Sequence, residues 1–119
     1  MAFHTIPEMF WINVERYADH PCLGFKVAGI WKTYTFRQVG ERVGEISAGL
    51  TSLGISGKEN ISIVSNNNPK WAIADYASLS LGGITVPVYP TLLPNQIKYL
   101  LDDGDVRVIF AEDQSQIDK

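Results

Sequence analysis

Asn60-Ile61-Ser62-Ile63-Val64-Ser65-Asn66-Asn67-Asn68-Pro69 reads as a short strand, a turn and the opening of a helix, and the fold follows from how that pattern recurs. Ile61, Ile63 and Val64 make Asn60 to Ser65 a short β run, and Pro69 stands near the first helical position, where a missing N–H is no loss. The helix runs to about Leu81 and is rich in small residues: Ala72, Ala74, Ala77, Ser78 and Ser80. Gly82-Gly83 breaks it, and Ile84 to Tyr89 forms a second apolar strand. Pro90 and Pro94 bracket a loop, Asn95 to Asp102 forms a helix, and Arg107 to Ala111 forms a third strand. Strands that alternate with helices imply right-handed βαβ crossovers and a parallel sheet.

Upstream, Thr5, Pro7 and Glu8 mark a helix start, with a capping hydroxyl, an early proline and an early acid. This leading helix, within residues 5–20, ends by Tyr17 or Ala18, ahead of His20-Pro21. Ile6, Phe10, Val14 and Tyr17 form its apolar stripe, flanked by Met9 and Trp11. Residues 22–34 read as a β-hairpin: Cys22 to Val27 and Trp31 to Tyr34, separated by Ala28-Gly29-Ile30, with Gly29 supplying a positive φ. Thr35 caps the longest helix, Phe36 to about Leu53, whose Phe36, Val39, Val43, Ile46, Leu50 and Leu53 step by threes and fours. Gly54 ends it in the left-handed position. The fold class is α/β, a leading helix and hairpin followed by a βαβαβ unit over residues 60–111.

Composition narrows the function. The 119 residues are 45% hydrophobic and 19% charged, within the range of a folded globular chain. A net charge of −3 and no clustered Lys/Arg stripe argue against nucleic acid as a partner. Cys22 is the single cysteine, which excludes an intrachain disulfide and a CxxC metal or redox motif and suits a reducing compartment. Met1 to Thr5 has no signal-peptide character, no apolar run approaches the ~20 residues a membrane span needs, and no stretch reads as a basic amphipathic anchor. A cytoplasmic location is expected.

Thr33-Tyr34-Thr35-Phe36-Arg37-Gln38-Val39 and Leu81-Gly82-Gly83-Ile84-Thr85-Val86-Pro87-Val88-Tyr89-Pro90 resemble the first two core motifs of the acyl-adenylate-forming (AMP-binding) superfamily. That superfamily includes acyl-CoA synthetases, peptide-synthetase adenylation domains and beetle luciferase. Ile61 to Asn67, Trp71 to Asp75 and Val106 to Phe110 resemble the family's first parallel strand, the helix after it and a later strand. The Val86-Pro87-Val88-Tyr89-Pro90-Thr91 wording is most similar to long-chain and medium-chain fatty acid–CoA ligases. Residues 1–119 are thus expected to be the amino-terminal part of an adenylate-forming domain.

The resemblance implies a parent enzyme that joins a fatty acid to CoA through an acyl-adenylate, using ATP, Mg2+ and CoA. It allows homodimerisation through this end of the chain and peripheral membrane contact of the full-length enzyme. The family's glycine-rich Pro-Lys-Gly phosphate loop would follow the third strand and is not in this sequence. The catalytic, cofactor-binding and metal site lists are therefore expected to be empty here, with no cofactor bound by this segment and no activity of its own. The polar tail, Glu112 to Lys119, reads as a loop or a helix start, and the sequence is expected to be cut from a longer one. Two other readings are an adenylate-forming ligase for an aryl or amino acid and a stand-alone, non-catalytic α/β binding module.

Residues with chemistry in their side chains have plainer roles. His4 and His20, near turns, read as structural histidines rather than ligands. Cys22 reads as a small buried hydrophobe. Asp102, Asp103 and Asp105 lack the spacing of a cation loop and read as a solvated helix end. Asn66-Asn67-Asn68 sits where α/β sheets place ligands but reads as a capping turn. Gly82-Gly83 follows a helix and precedes a strand, the reverse of a phosphate loop. Trp11, Trp31, Trp71 and Tyr76 read as core rather than as an acyl pocket.

Overall fold

The computed structural model describes residues 5–55 and 58–117. Helix α1 (Ile6–Arg16) leads into strands β1 (Pro21–Val27) and β2 (Ile30–Thr35), then helix α2 (Phe36–Ser52). The alternating part follows as β3 (Asn60–Val64), α3 (Pro69–Ser80), β4 (Ile84–Val88), α4 (Pro94–Asp103), β5 (Val106–Ala111) and a final turn of helix, α5 (Gln114–Ile117). Strands β1 and β2 pair antiparallel. The other three strands form a parallel sheet in the order β4-β3-β5.

Local chemistry explains the helix ends. The Thr5 hydroxyl accepts from the Glu8 N–H at 3.2 Å. At α2, Thr35 Oγ1 accepts from the Gln38 N–H while Gln38 Oε1 accepts from the Thr35 N–H, a reciprocal capping box at 3.2 and 2.9 Å. At its other end Gly54 takes a φ of 89°, its N–H donates to the Thr51 carbonyl, and the Ile55 N–H donates to the Leu50 carbonyl. This is a Schellman turn, and its usual apolar contact joins Ile55 to Leu50.

That turn corrects one expectation. Leu53, read as the last member of the α2 stripe, is 69% exposed, and Ile55 is buried in its place. The chain leaves the helix cylinder at Gly54, so helical spacing no longer tells which residue faces inward. The α1 stripe is corrected likewise: Phe10 is buried and Val14 packs against the same cluster, but Ile6 and Tyr17 at the two ends are exposed. In the hairpin, Ile30 belongs to β2 and pairs with Val27. The turn is therefore two residues, with φ of 51° at Ala28 and 79° at Gly29. Positive φ at both positions matches the right-handed strand twist.

The core has two sides. On one, α1, α2 and α3 meet through Phe10, Val39, Val43, Ile73 and Ala77, and Leu50 and Ile55 continue it onto Ile61 of the sheet. On the other, α4 lays Ile97 against Val64 and Val88. Strand β3 lies between both partners and both layers, and Ile61, Ser62, Ile63 and Val64 are all buried. Pro87 sits inside β4, which an edge strand tolerates because one side of its ladder goes unpaired.

Two glycines mark where backbones meet. A Cβ on Gly83 would lie 2.8 Å from the Ser78 carbonyl oxygen and 3.3 Å from that of Glu59. A Cβ on Gly40 would lie 2.8 Å from a methyl of Val14, so α1 crosses α2 at this residue.

Candidate functional site

A parallel sheet binds ligands at the carboxyl ends of its strands, where neighbouring strands send their connections to opposite faces. Here α3 leaves β3 toward the α2 side, while α5 leaves β5 on the α4 side, where Gln116 and Ile117 line a cleft with α4. The switch point therefore falls between β3 and β5, over Ser65, Asn66 and Glu112.

The structure fills that point with its own groups. The Glu112 N–H donates to the Val64 carbonyl at 3.0 Å, which extends the ladder by one rung. Glu112 Oε2 accepts both the backbone N–H and the side-chain Nδ2 of Asn66, each at 3.0 Å. Asn68 caps α3, its Oδ1 accepting from the Trp71 N–H at 3.2 Å while Nδ2 donates to Ser65 Oγ and to the Asn66 carbonyl. Thus Asn68 is the capping residue the sequence indicates, and Asn66 ties two strands together. Glu112 was missed, since it reads only as the first residue of a polar tail. The one signal for it is its place, directly after the end of β5, which registers with the end of β3.

This arrangement does not fit a nucleotide phosphate. The donors at the end of β3 already face a carboxylate, whose negative charge opposes a second anion. Among the described residues no group of three or more His, Cys, Asp or Glu side chains is placed to hold a metal ion. The three aspartates at the end of α4 do not converge: Asp102 takes the Lys98 ammonium at 2.6 Å, and Asp105 closes a turn with φ 49°. The hydrogen bond that the Lys98 ammonium donates to the Asp102 carboxylate holds Lys98 above the ordinary lysine range.

A cleft of about 600 Å3 opens between α4, β5 and α5, lined mainly by Val64, Ile97, Leu101, Ile109, Ala111 and Ile117. Its wall is apolar, with Lys98, Asp102 and Gln116 as its main polar members. It can hold a hydrocarbon surface, and its Lys98 and Asp102 are engaged with each other in an ion pair.

The remaining candidates are structural. His4 lies outside the described residues. His20 clasps the loop: its N–H donates to the Tyr17 carbonyl and its own carbonyl accepts from the Phe36 N–H. Tyr76 stacks on Phe10 with centroids 4.2 Å apart, and Trp11 Nε1 donates to Ser80 Oγ at 3.0 Å. Trp71 is half-buried, whereas Trp11 is 37% exposed and Trp31 lies in the open, which corrects the reading of those two as core.

Cys22 packs against the Phe10–Val43 cluster, and burial pushes its thiol above the ordinary value. The thiolate is the nucleophile, and a raised pKa leaves less of it near neutral pH. Cys22 is therefore expected to react with iodoacetamide at pH 7.5 severalfold more slowly than a free cysteine thiol, with the rate still rising through pH 9. Mass spectrometry of the alkylated peptide, native against denatured, checks this. Equal rates in the two states would contradict the burial.

Comparison with known proteins identifies the family. The profile of the family described as "AMP-binding enzyme" matches residues 10–119, so this chain belongs to that family. It is 31% identical to the long-chain-fatty-acid–CoA ligase heimdall of Drosophila melanogaster, over 97% of this chain and 18% of that protein. It is 34% identical to the long-chain-fatty-acid–CoA ligase FadD15 of Mycobacterium bovis, over 75% of this chain and 15% of that protein. The chain thus spans less than a fifth of the length of these curated relatives. Among solved structures, the N-terminal subdomain of Klebsiella oxytoca NpsA superimposes with a TM-score of 0.83 at 20% identity, covering 94% of this chain and 28% of that one. The anthranilate CoA ligase AuaEII, solved with anthranoyl-AMP, gives 0.81 at 23% identity, covering 92% of this chain and 20% of that one. At such identities the likeness is one of fold.

Proposed function

We propose that this chain is the amino-terminal scaffold of an enzyme that converts a fatty acid, ATP and CoA to acyl-CoA, AMP and pyrophosphate through an acyl-adenylate. The observation that carries this reading is the 31% identity to a long-chain-fatty-acid–CoA ligase along 97% of the chain. Residues 1–119 then form the first part of the adenylate-forming domain and hold no catalytic, cofactor-binding or metal-binding residue. ATP, Mg2+ and CoA bind elsewhere in the whole enzyme. The self-satisfied switch point supports this, since Glu112 already occupies the donors of Asn66. The segment by itself is inactive.

None of the described helices is long and apolar enough to cross a membrane. In this reading the whole enzyme works in the cytoplasm, meets membranes peripherally to collect its substrate, and can pair as a homodimer. The test is pyrophosphate exchange into ATP by the intact enzyme across a panel of acids. Exchange with a long-chain fatty acid, at least tenfold above benzoate, anthranilate and amino acids, is the expected result. Exchange only with an aryl or amino acid would replace the fatty acid with that class. No exchange with any acid would leave a non-catalytic binding module as the better description.

A further inference from the structure

We infer that the tip of the β1–β2 hairpin docks on an anionic lipid surface. The inference rests on the peripheral membrane contact proposed above and names the residues that make it. The root of the hairpin is fixed, because Leu23 and Tyr34 pack on the Phe10–Val43 cluster and Phe25 stacks on Tyr34 with centroids 4.9 Å apart. The tip extends past that anchor. Val27 and Ile30 form its last pair and are 46% and 65% exposed, and Trp31 beside them is 68% exposed.

The alternation of the strands puts Val27 and Ile30 on one face of the tip and Trp31 on the other, so the tip is apolar on both sides. The two-residue turn at Ala28 and Gly29 adds only small groups and keeps it narrow. Trp31 is held rather than loose. Its ring lies over Gly24, where a Cβ would sit 3.9 Å from the ring, and the Lys26 ammonium stands 5.1 Å from its centroid. Single exposed apolar residues are ordinary, but three together on a convex tip are not.

Charge selects the occupant. Lys26 and Lys32 flank the tip and no acid occurs from Pro21 to Thr35, in a chain whose net charge is −3. Asp19, the acid just ahead of the hairpin, is paired with Arg37 at 2.8 Å. Tryptophan settles at headgroup depth, lysine stems run along apolar surface while their ammonium groups reach lipid phosphates, and each such cation strengthens binding. Two copies meeting tip to tip would instead bring four lysines together. This device is built at strand period and only at one end of a hairpin, so it has no amphipathic-helix pattern.

The experiment is flotation of the intact polypeptide with phosphatidylcholine vesicles, alone or carrying about one-third phosphatidylserine. Binding is expected only to the anionic vesicles. Val27→Ser with Ile30→Ser, at exposed positions that leave the root intact, is expected to weaken binding about tenfold or more. Lys26→Gln and Lys32→Gln are each expected to weaken it about fivefold. Trp31→Phe should keep binding within a few-fold yet abolish the vesicle-induced blue shift of emission, with Trp11 and Trp71 still present. Circular dichroism melts establish that each variant is folded. Undiminished binding by the Val27→Ser, Ile30→Ser variant would overturn the hairpin assignment while leaving peripheral contact standing. Absence of binding by the unsubstituted protein would overturn both. A dimer that the same variant turns into a monomer would assign the tip to a second copy of this chain, again overturning the inference.

Discussion

Replacing Ile61 with Ala is expected to lower the unfolding free energy by about 3–5 kcal/mol, the range found when a large aliphatic side chain is cut from a sealed core site. Ile61 is wholly buried, at the centre of β3, against Leu50 and Ile55 from one direction and Val108 and Phe110 from another. Two features keep the site from collapsing around the loss. Strand β3 is held on both sides by parallel partners, so its backbone cannot shift toward α2. The Leu50–Ile55 contact is fixed by the Schellman turn and cannot swing inward without breaking it. The predicted loss is a large part of the roughly 5–15 kcal/mol that holds a domain together. Urea denaturation should show a lower midpoint with an unchanged slope. A loss under about 1 kcal/mol would mean that the helix layer and the sheet are less tightly joined than described. Ile61→Val should cost about 1 kcal/mol.

The second large effect belongs to Gly83. Gly83→Ala is expected to destabilise by about 2–3 kcal/mol, the upper part of the range for overpacking. The added methyl meets backbone carbonyls, Ser78 at 2.8 Å and Glu59 at 3.3 Å, which no rotamer change can move aside. Those carbonyls are also engaged, since the Gly83 N–H donates to Ser78 and the Ile84 N–H donates to Glu59. Relief therefore means pulling the end of α3 away from the start of β3. Gly40→Ala is the comparison. Its methyl would meet Val14, a β-branched side chain nearly fixed in a helix, so relief takes a small shift of α1 off α2 rather than the parting of hydrogen-bonded backbone. The better helix propensity of alanine offsets part of the cost. Thermal melts of the two variants should rank Gly83→Ala well below Gly40→Ala. The reverse order would show that the α1–α2 crossing is the tighter contact.

Both glycines bear on how far a sequence can be read. The alternation of strands and helices was legible because each element carries its own signal. Val39, Val43 and Leu50 recur at helical spacing, Pro69 opens α3, and Gly82-Gly83 breaks it. Gly82, with φ 78°, supplies the tight turn expected of the pair, but the close approach at Gly83 needs the neighbouring backbone in place to be visible. Ala28 was illegible for a similar reason. Its left-handed backbone is imposed by the strand pairing around it, against the preference of alanine itself. Leu53 and Ile55 exchanged places because periodicity extrapolates a helix past the turn that ends it. The switch point was half legible: Asn68 announces a cap, whereas the tie between Asn66 and Glu112 depends on the register of β3 with β5, which no local pattern states.

The strand order carries a consequence for how the molecule is made. The central strand is the first of the three to leave the ribosome, and both of its partners come later. At about 5–20 residues per second, the stretch from Val64 to Ala111 takes roughly 2–10 s to emerge, during which an apolar strand has two unpaired edges. The part of the chain already exposed by then is α2, with Leu50 at its end and Ile55 just beyond, the residues that pack on Ile61. The long helix is thus placed to act as a temporary shelter for the nascent strand. Substitutions at Leu50 or Ile55 should then reduce soluble yield during synthesis more than their effect on the finished fold accounts for.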